Sequence, residues 1–143
     1  MQLTHSADYA LRALIYVGLH PEKRVTIREI AESFHISTNH LMKIVHRLSQ
    51  LGFLSAQRGR SGGLVLGQAP EDINIGEVVL RMEPHFNLAE CLNDVDGGCL
   101  IAPLCQVKHA LQEAQLAFLA VLNRYTLADV LKAPEDIRLL LAV

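Results

Sequence analysis

The architecture of this chain follows from residues 38–67, TNHLMKIVHRLSQLGFLSAQRGRSGGLVLG. Their first part repeats apolar residues at helical spacing, which predicts a helix with Ser37 as its N-cap and Gly52 as the residue just past its end. The period then changes, and two short apolar runs at residues 53–57 and 64–66 flank a glycine-rich, arginine-bearing turn. This pattern predicts a two-stranded hairpin directly after the helix.

Two further helices are predicted before this stretch. Residues 6–20 carry a helical apolar pattern, with Ser6 as the predicted cap. Thr26 and Glu29 form a capping-box signature, which predicts a short helix that runs to about Phe34. Three helices followed by a hairpin is the element order of a winged helix-turn-helix.

The second half of the chain is predicted to be helical around a loop. Residues 75–83 predict a short helix, and a cysteine-bearing loop follows at about residues 84–104. A long helix should then reach about Arg124, a shorter one should follow Thr126, and Pro134 should interrupt the tail. The predicted fold is therefore mainly α with a small β-hairpin wing. We divide it into a DNA-binding region (1–67), a short helix with the cysteine loop (68–104), and a dimerisation helix with its tail (105–143).

Charge is divided unevenly between the two halves of the 143-residue chain. Residues 1–67 hold eight Lys and Arg against four Asp and Glu, a net charge of +4, and the rest hold five against eleven, a net charge of −6. Such a split suggests an anionic partner for the first half, although an ordinary mixed surface is equally compatible with it. With no signal-peptide pattern and no long apolar run, we expect a cytoplasmic protein that does not contact the membrane.

The polar face of the third helix is the predicted DNA-reading surface. Asn and Gln side chains can bond adenine in the major groove, and Arg or Lys can bond guanine. The hairpin tip adds arginines between glycines, which suits close approach to a sugar-phosphate backbone. A solvated surface helix is the plainer alternative for the helix taken alone. The predicted DNA contacts are Thr38, Asn39, His40, Lys43, Arg47, Arg58, Arg60, Ser61 and Gly62.

The predicted C-terminal helix carries apolar residues around nearly its whole circumference at residues 116–122, LAFLAVL. A helix that is apolar all round is buried on more than one side, so a second subunit is the natural cover. Its own domain could also cover it. A two-fold homodimer would match a palindromic double-stranded DNA operator.

All three cysteines lie within fifteen residues, as Cys91, Cys99 and Cys105. Their spacing contains no CxxC pair, which is unlike most zinc fingers and ribbons, although His109 could complete a zinc site. Thiolates on a loop also suit an iron–sulfur cluster, with one coordination position left for another residue. Three small buried hydrophobes is the purely structural alternative. The residues by themselves leave the choice between iron–sulfur and zinc open.

Several segments together resemble the Rrf-type family of winged-helix iron–sulfur transcription regulators. They are MQLTHSADYALRALIYV, NHLMKIVHRLSQLGFL, RGRSGGLVLG, the three spaced cysteines and FLAVLNRYTLADVL, and they span essentially the whole chain. PEDINIGEVV, FNLAEC and YTLADVL are most similar to the nitric-oxide-sensing repressors of that family.

The resemblance implies a homodimer with a [4Fe-4S] cluster between the subunits. Its ligands would be Cys91, Cys99 and Cys105, with Asp8 of the partner subunit as the fourth. Some family members use a histidine three residues after the last cysteine. Lys108 stands there in this chain and His109 one residue later, which favours Asp8.

The function that the resemblance implies is repression of transcription, relieved when nitric oxide attacks the cluster, so that genes for nitric oxide detoxification are expressed. Two alternatives are an iron-responsive regulator, in which cluster loss reports iron scarcity, and a zinc-stapled DNA-binding protein. An electron carrier would leave the basic helix and wing unexplained. The sequence contains neither a second cofactor motif nor a nucleophile at a recognisable distance from a base, so an enzyme is not expected.

Overall fold

Three helices and a hairpin form the N-terminal half of the computed structural model, which describes residues 2–57, 59, 62–92 and 99–141. The helices are α1 (His5–Gly18), α2 (Ile27–Ser33) and α3 (Thr38–Gln50), and the strands are β1 (Leu54–Gln57) and β2 (Gly63–Leu66). This is the order of a winged helix-turn-helix, and the predicted fold class is confirmed.

The helix boundaries follow local capping chemistry. The Thr26 side chain accepts from the Glu29 N–H at 3.2 Å, and the Glu29 carboxylate accepts from the Thr26 N–H at 2.6 Å. This confirms the predicted capping box. Gly52 follows the end of α3 with φ of +79°, a conformation in which glycine has no steric penalty. Ser37 is the N-cap residue of α3, but its side chain makes no capping hydrogen bond.

The hairpin is a short antiparallel pair in which Leu54 lies opposite Leu66 and Ala56 opposite Leu64. Leu64 also exchanges backbone hydrogen bonds with Val25, at 3.0 and 2.7 Å, which ties the hairpin to the segment before α2. Leu64 and Val25 are both buried. The base of the wing is therefore part of the same core as the helices.

The second half contains α4 (Ile75–Met82), α5 (Gln106–Leu122), α6 (Leu127–Val130) and α7 (Pro134–Leu141). Helix α4 packs on α1, and Leu127 at the start of α6 is fully buried in the common core. Helix α5 is the longest helix and packs on α4, yet none of its residues is buried. Between α4 and α5, the described residues include single 3₁₀ turns at Glu90–Leu92 and Ala102–Leu104.

One predicted boundary was wrong. Helix α1 is capped by Thr4 rather than Ser6: the Thr4 hydroxyl accepts from the Ala7 N–H, and the Thr4 N–H donates to Glu83 at 2.8 Å. The contact with Glu83 is a tertiary one, which a local pattern does not contain. The helical tail is interrupted just before Pro134, as predicted: α6 ends at Val130 and Pro134 begins α7, because a proline is well tolerated in the first helical turn, where its missing N–H would have no partner.

None of the described helices is both long enough and apolar enough to cross a membrane.

Candidate nucleic-acid interface and cysteine loop

Helix α3 has one buried and one exposed face. Its apolar side chains lie in the core, 0–4% exposed, and anchor the helix against α1 and α2 (Leu41, Ile44, Val45 and Leu48). The opposite face is open to solvent, and four of the predicted DNA contacts lie on it (Thr38, Asn39, Lys43 and Arg47). The structure thus presents the predicted polar set together on one surface.

His40 differs from the other predicted DNA contacts because it is half-buried. Its ring meets the ring of Tyr9 edge-on, with the centroids 5.3 Å apart. Tyr9 lies on α1 and directly follows Asp8, the predicted cluster ligand. The contact therefore connects the candidate ligand helix to the candidate recognition helix.

The wing is described in part. Gly59 has a φ of +115°, which an L side chain rarely adopts, and the N–H of Gly62 donates to its carbonyl at 2.9 Å. Gly62, a predicted DNA contact, is half-buried. The other three predicted wing contacts, Arg58, Arg60 and Ser61, lie outside the described residues.

A small cavity adjoins the exposed face of α3. It has a volume of about 190 Å³, and it is lined by residues from three helices (Ser6, His40, Lys43, Ile44, Arg47, Arg81 and Met82). We call it the basic notch. Arg81 was missed from the sequence because it lies on α4, more than thirty residues from Lys43 and Arg47. Only its positive charge could have drawn attention to it.

The three cysteines are free thiols outside the core. Cys91 and Cys105 are half-buried and Cys99 is exposed, so the interpretation as three buried hydrophobes was wrong. Cys91 lies in the turn Glu90–Leu92, which contacts α5, and Cys105 is the N-cap residue of α5. Cys105 is therefore held at the start of the long helix, and Cys91 lies in a turn that packs on the same helix.

The cysteines are not drawn together into a metal site within the part of the chain that the structure describes. There, no group of three or more His, Cys, Asp and Glu side chains is placed to hold a metal ion. Residues 93–98, which separate Cys91 from Cys99, are not among the described residues. His109 is exposed on the first turn of α5, and its N–H donates to the Cys105 carbonyl at 3.5 Å, as expected for a helix start.

Asp8 lies on α1 and is held by Arg12 one turn later. Nε and an Nη atom of Arg12 donate to the two carboxylate oxygens of Asp8 at 3.2 and 2.8 Å. The guanidinium also lies over the rings of Tyr9 and Phe34, 5.6 and 5.8 Å from their centroids. Asp8 and Arg12 line a cavity of about 350 Å³ beside the N-terminus. No cysteine lines this cavity, so the structure of a single chain does not bring Asp8 to the thiols.

The fold, the exposed polar helix and the wing define a protein of the winged helix-turn-helix class. The family model described as "Rrf2: Iron-dependent Transcriptional regulator" matches residues 3–133, and the chain belongs to this family of transcription regulators, which are not enzymes. It is 51% identical to the "HTH-type transcriptional regulator NsrR" of Bacillus subtilis (strain 168) over 99% of this chain and 97% of that protein. It is 46% identical to the protein of the same name from Bacillus licheniformis, over 99% of this chain and 100% of that protein.

The solved structure of "T. potens IscR" is similar in fold. It superposes with a TM-score of 0.76 and covers 96% of this chain and 91% of its own, at 23% sequence identity. At that identity the likeness concerns the fold alone, and it agrees with the winged-helix architecture described above.

Proposed function

We propose that the protein is a dimeric, DNA-binding transcription repressor that senses nitric oxide through a [4Fe-4S] cluster. The observation that carries the proposal is the position of three free thiols outside the core, with Cys105 at the start of a long helix that has no buried residue and Cys91 in a turn that contacts the same helix. The relatives named NsrR, 51% and 46% identical over nearly the whole chain, support the choice of this function within the family.

The DNA-reading role rests on α3 and the wing. The buried side of α3 fixes the helix in the core, and its exposed side offers amide and cationic groups of the kinds that bond base edges. In our proposal Thr38, Asn39, His40, Lys43 and Arg47 lie in the major groove. Arg58, Arg60, Ser61 and Gly62 of the wing contact the adjacent backbone.

The dimer rests on α5. Leu116 and Val121 are 68% and 47% exposed, and Leu104 just before the helix is exposed as well. Several large exposed apolar side chains along one helix suggest an interaction surface. A second copy of α5 would cover them and would set two recognition helices on a palindromic operator. Residues 1–67, 68–104 and 105–143 then serve as the DNA-binding, cluster-bearing and dimerising regions.

The donor set fits an iron–sulfur cluster in its chemistry. Cys91, Cys99 and Cys105 are free thiols that no core packing holds in place, and thiolate is the usual ligand of cluster iron. A carboxylate has about four lone-pair positions, so Asp8 of the partner subunit can keep its arginine and still offer an oxygen to iron. When bound, the cluster would supply iron that reacts with nitric oxide.

The chain itself supplies a connection from this site to DNA. Asp8 precedes Tyr9 on the rigid helix α1, and the ring of Tyr9 contacts His40 on α3. A displacement of α1 at Asp8 would therefore be passed to the recognition helix through a direct side-chain contact. Repression would depend on the position of α1.

The first experiment identifies the metal. Protein purified without oxygen should contain about four iron and four sulfide per chain and absorb as an iron–sulfur protein. Cys91→Ala, Cys99→Ala and Cys105→Ala should each remove most of the cluster, whereas Lys108→Ala should not. Stoichiometric zinc without sulfide would instead identify the zinc-stapled alternative.

The second experiment tests the fourth ligand. Asp8→Ala should leave a labile cluster that reacts differently with nitric oxide, because one iron loses its oxygen ligand. Asp72→Ala, at an exposed acid in the turn before α4, is the matched control. Cluster absorbance, nitric oxide titration and DNA affinity should be measured for the parent and both variants. If Asp8→Ala equals the parent in all three, Asp8 is not a ligand.

The third experiment tests the DNA surface. Selection of duplexes from a random library by cluster-loaded protein should yield a palindrome. Asn39→Ala should then alter the base preference within it, and Arg60→Ala should weaken binding to all sequences. Parent-like selection and affinity in both variants would place the recognition surface elsewhere.

A second candidate is an iron-responsive regulator, which the family description as iron-dependent favours. The two signals can be separated under anaerobic conditions with one selected duplex. Nitric oxide at constant iron should release DNA if the proposal is right. Release by an iron chelator, with none by nitric oxide, would favour the iron-responsive function.

A further inference from the structure

The basic notch brings cations from two different helices to one cavity. Lys43 and Arg47 lie four residues apart on α3, and therefore one above the other on the same face. Arg81 lines the same cavity from α4, a second helix that packs on α1. Buried Ile44 and Met82 line the same cavity. The three cations therefore share one surface depression with two apolar side chains.

The balance of charge in the notch is positive. None of its lining residues is acidic, and in the described part of the chain neither Lys43 nor Arg47 pairs with a carboxylate. Like charges one helical turn apart repel each other, and a third cation nearby adds to this cost. An anion in the cavity would remove the repulsion.

Two neighbouring features bear on which anion fits. Arg81 donates to Glu77 at 3.3 Å, but this pair is exposed and weak, and a guanidinium has five N–H donors with which to bind a second acceptor. Ser6 lies in the first turn of α1, where backbone N–H groups have no partner within the helix and carry partial positive charge. The cavity exceeds the roughly 30 Å³ that one water occupies, so it has room for a phosphate group.

We propose that the basic notch is a phosphate site, with Arg81 of α4 as a DNA-backbone contact outside the helix-turn-helix. The proposal rests on the proposed DNA-binding function, because two of the three cations belong to the recognition helix. A phosphodiester beside the groove in which α3 lies is the anion that this placement favours. Arg81 is then a positioning residue: it sets how α3 enters the groove and carries no base preference.

The test is the salt dependence of binding to a 30-base-pair duplex of mixed sequence, measured with the full chain by fluorescence anisotropy in potassium chloride. Each lost phosphate contact lowers the slope of log affinity against log salt by about 0.9, so a fourfold rise in salt should weaken Arg81→Gln about 3.5-fold less than the parent per contact. Arg81→Lys should keep the parent slope, because the charge remains.

Arg124→Gln is the matched control. Arg124 is exposed beyond the end of α5, and its substitution by Gln removes the same charge. It should bind like the parent. Glu77→Gln, which frees Arg81, should bind the duplex more tightly. Circular dichroism and urea unfolding check that each variant is folded, and the slopes of Arg81→Gln and Arg81→Lys are compared only between folded proteins.

Three outcomes would overturn the proposal. If Lys43→Gln and Arg47→Gln lower the slope but Arg81→Gln does not, the notch is not a backbone site although the DNA-binding function stands. If inorganic phosphate at constant ionic strength raises the melting temperature of the parent but not of Arg81→Gln, with unchanged slopes, the anion is free phosphate. If the parent binds the duplex without salt dependence, the proposed function fails together with the phosphate site.

Discussion

The helix-turn-helix region and helix α5 differ in how far their apolar side chains are buried. Helices α1 to α3 and the base of the wing enclose a shared core in which residues such as Leu14, Leu41 and Leu48 are fully buried. Helix α5 is longer than any of them, yet no residue in it is buried. The first region is completed by its own chain, whereas the second has apolar surface that its own chain leaves uncovered.

One side of α5 is covered by an aromatic contact within the chain. Phe118 lies against Phe86, with ring centroids 5.7 Å apart, and both are half-buried. Leu116 and Val121, on other sides of the same helix, remain exposed. A helix that is apolar around most of its circumference cannot be covered from one side alone. The chain therefore completes one hydrophobic core by itself and leaves apolar sides of α5 uncovered.

The largest effect is expected from the same substitution made in the two regions. Leu48→Ala should lower the free energy of unfolding by about 2–5 kcal/mol, because it leaves a cavity in the core. Leu116→Ala, at a site 68% exposed in the single chain, should cost less than about 0.5 kcal/mol when the protein is dilute enough to be monomeric. Urea unfolding measures both, and equal losses would contradict the division between the regions.

The next effect concerns association. The melting temperature of the parent should rise with protein concentration if α5 is a dimer surface, because dissociation is linked to unfolding. Leu116→Glu would place a charge in that surface and should weaken the dimer by at least about 2 kcal/mol, roughly thirtyfold. Sedimentation at several concentrations measures this. Lys132→Glu, outside α5, is the control, and a parent that is monomeric throughout would refute the prediction.

A smaller effect is expected where the two regions join. A Cβ on Gly76 of α4 would lie 2.0 Å from Oδ1 and 3.0 Å from the backbone N of Asn123, at the end of α5. Gly76→Ala should therefore cost about 1–3 kcal/mol in unfolding free energy, and Asn123→Ala added to it should recover part of the loss. Gly18→Ala should cost less, because the nearest atom, 2.6 Å away, belongs to the flexible side chain of Leu131.

The smallest effect tests the local order of α2. Lys23 donates to Glu29, and with the Thr26 N–H it lowers the pKa of Glu29 from 4.5 to about 2. A lowered pKa in the folded state stabilises the protein above pH 4.5, and this contribution is lost as the pH falls from 4.5 towards 2. Glu29→Gln should cost about 1 kcal/mol at pH 7, the typical value of a helix cap, and should flatten the acid limb of the stability profile.

The matched variant for that experiment is Asp129→Asn in the second capping box. The Lys132 side chain and the Thr126 N–H lower the pKa of Asp129 to about 2, but this box opens a helix of four residues. Both substitutions should flatten the profile in the same pH range, measured by urea unfolding between pH 2 and 7. A Glu29→Gln profile parallel to that of the parent would mean that the box does not stabilise α2.

Much of the winged helix could be predicted because its signals are local. The apolar spacing of α3, the Thr26–Glu29 box and Gly52 each depend on residues within a turn or two, and each is confirmed. The choice between Thr4 and Ser6 as the cap of α1 could not be made locally, since both are good caps. It depends on Glu83, which lies far away in the sequence and close in space.

The candidate sites divide in the same way. Residue types and spacing nominate the exposed face of α3, and the resemblance to a family nominates Asp8. Neither the residue pattern nor the resemblance predicts the ion pair between Asp8 and Arg12, because helical periodicity allows an i, i+4 contact without requiring it. The contact between Tyr9 and His40 is not predicted by either of them, because it joins two different helices.

From the sequence alone follow the helices up to α6 and the hairpin, their order, the apolar faces and the presence of three thiols on one segment. The reason is that periodicity, capping and composition act over neighbouring residues. Only tertiary packing brings Arg81 to the cavity of Lys43 and Arg47, holds the Thr4 cap of α1 against Glu83, and leaves apolar sides of α5 exposed. These follow from how helices pack against one another, which depends on the fit of whole side-chain surfaces rather than on any short pattern.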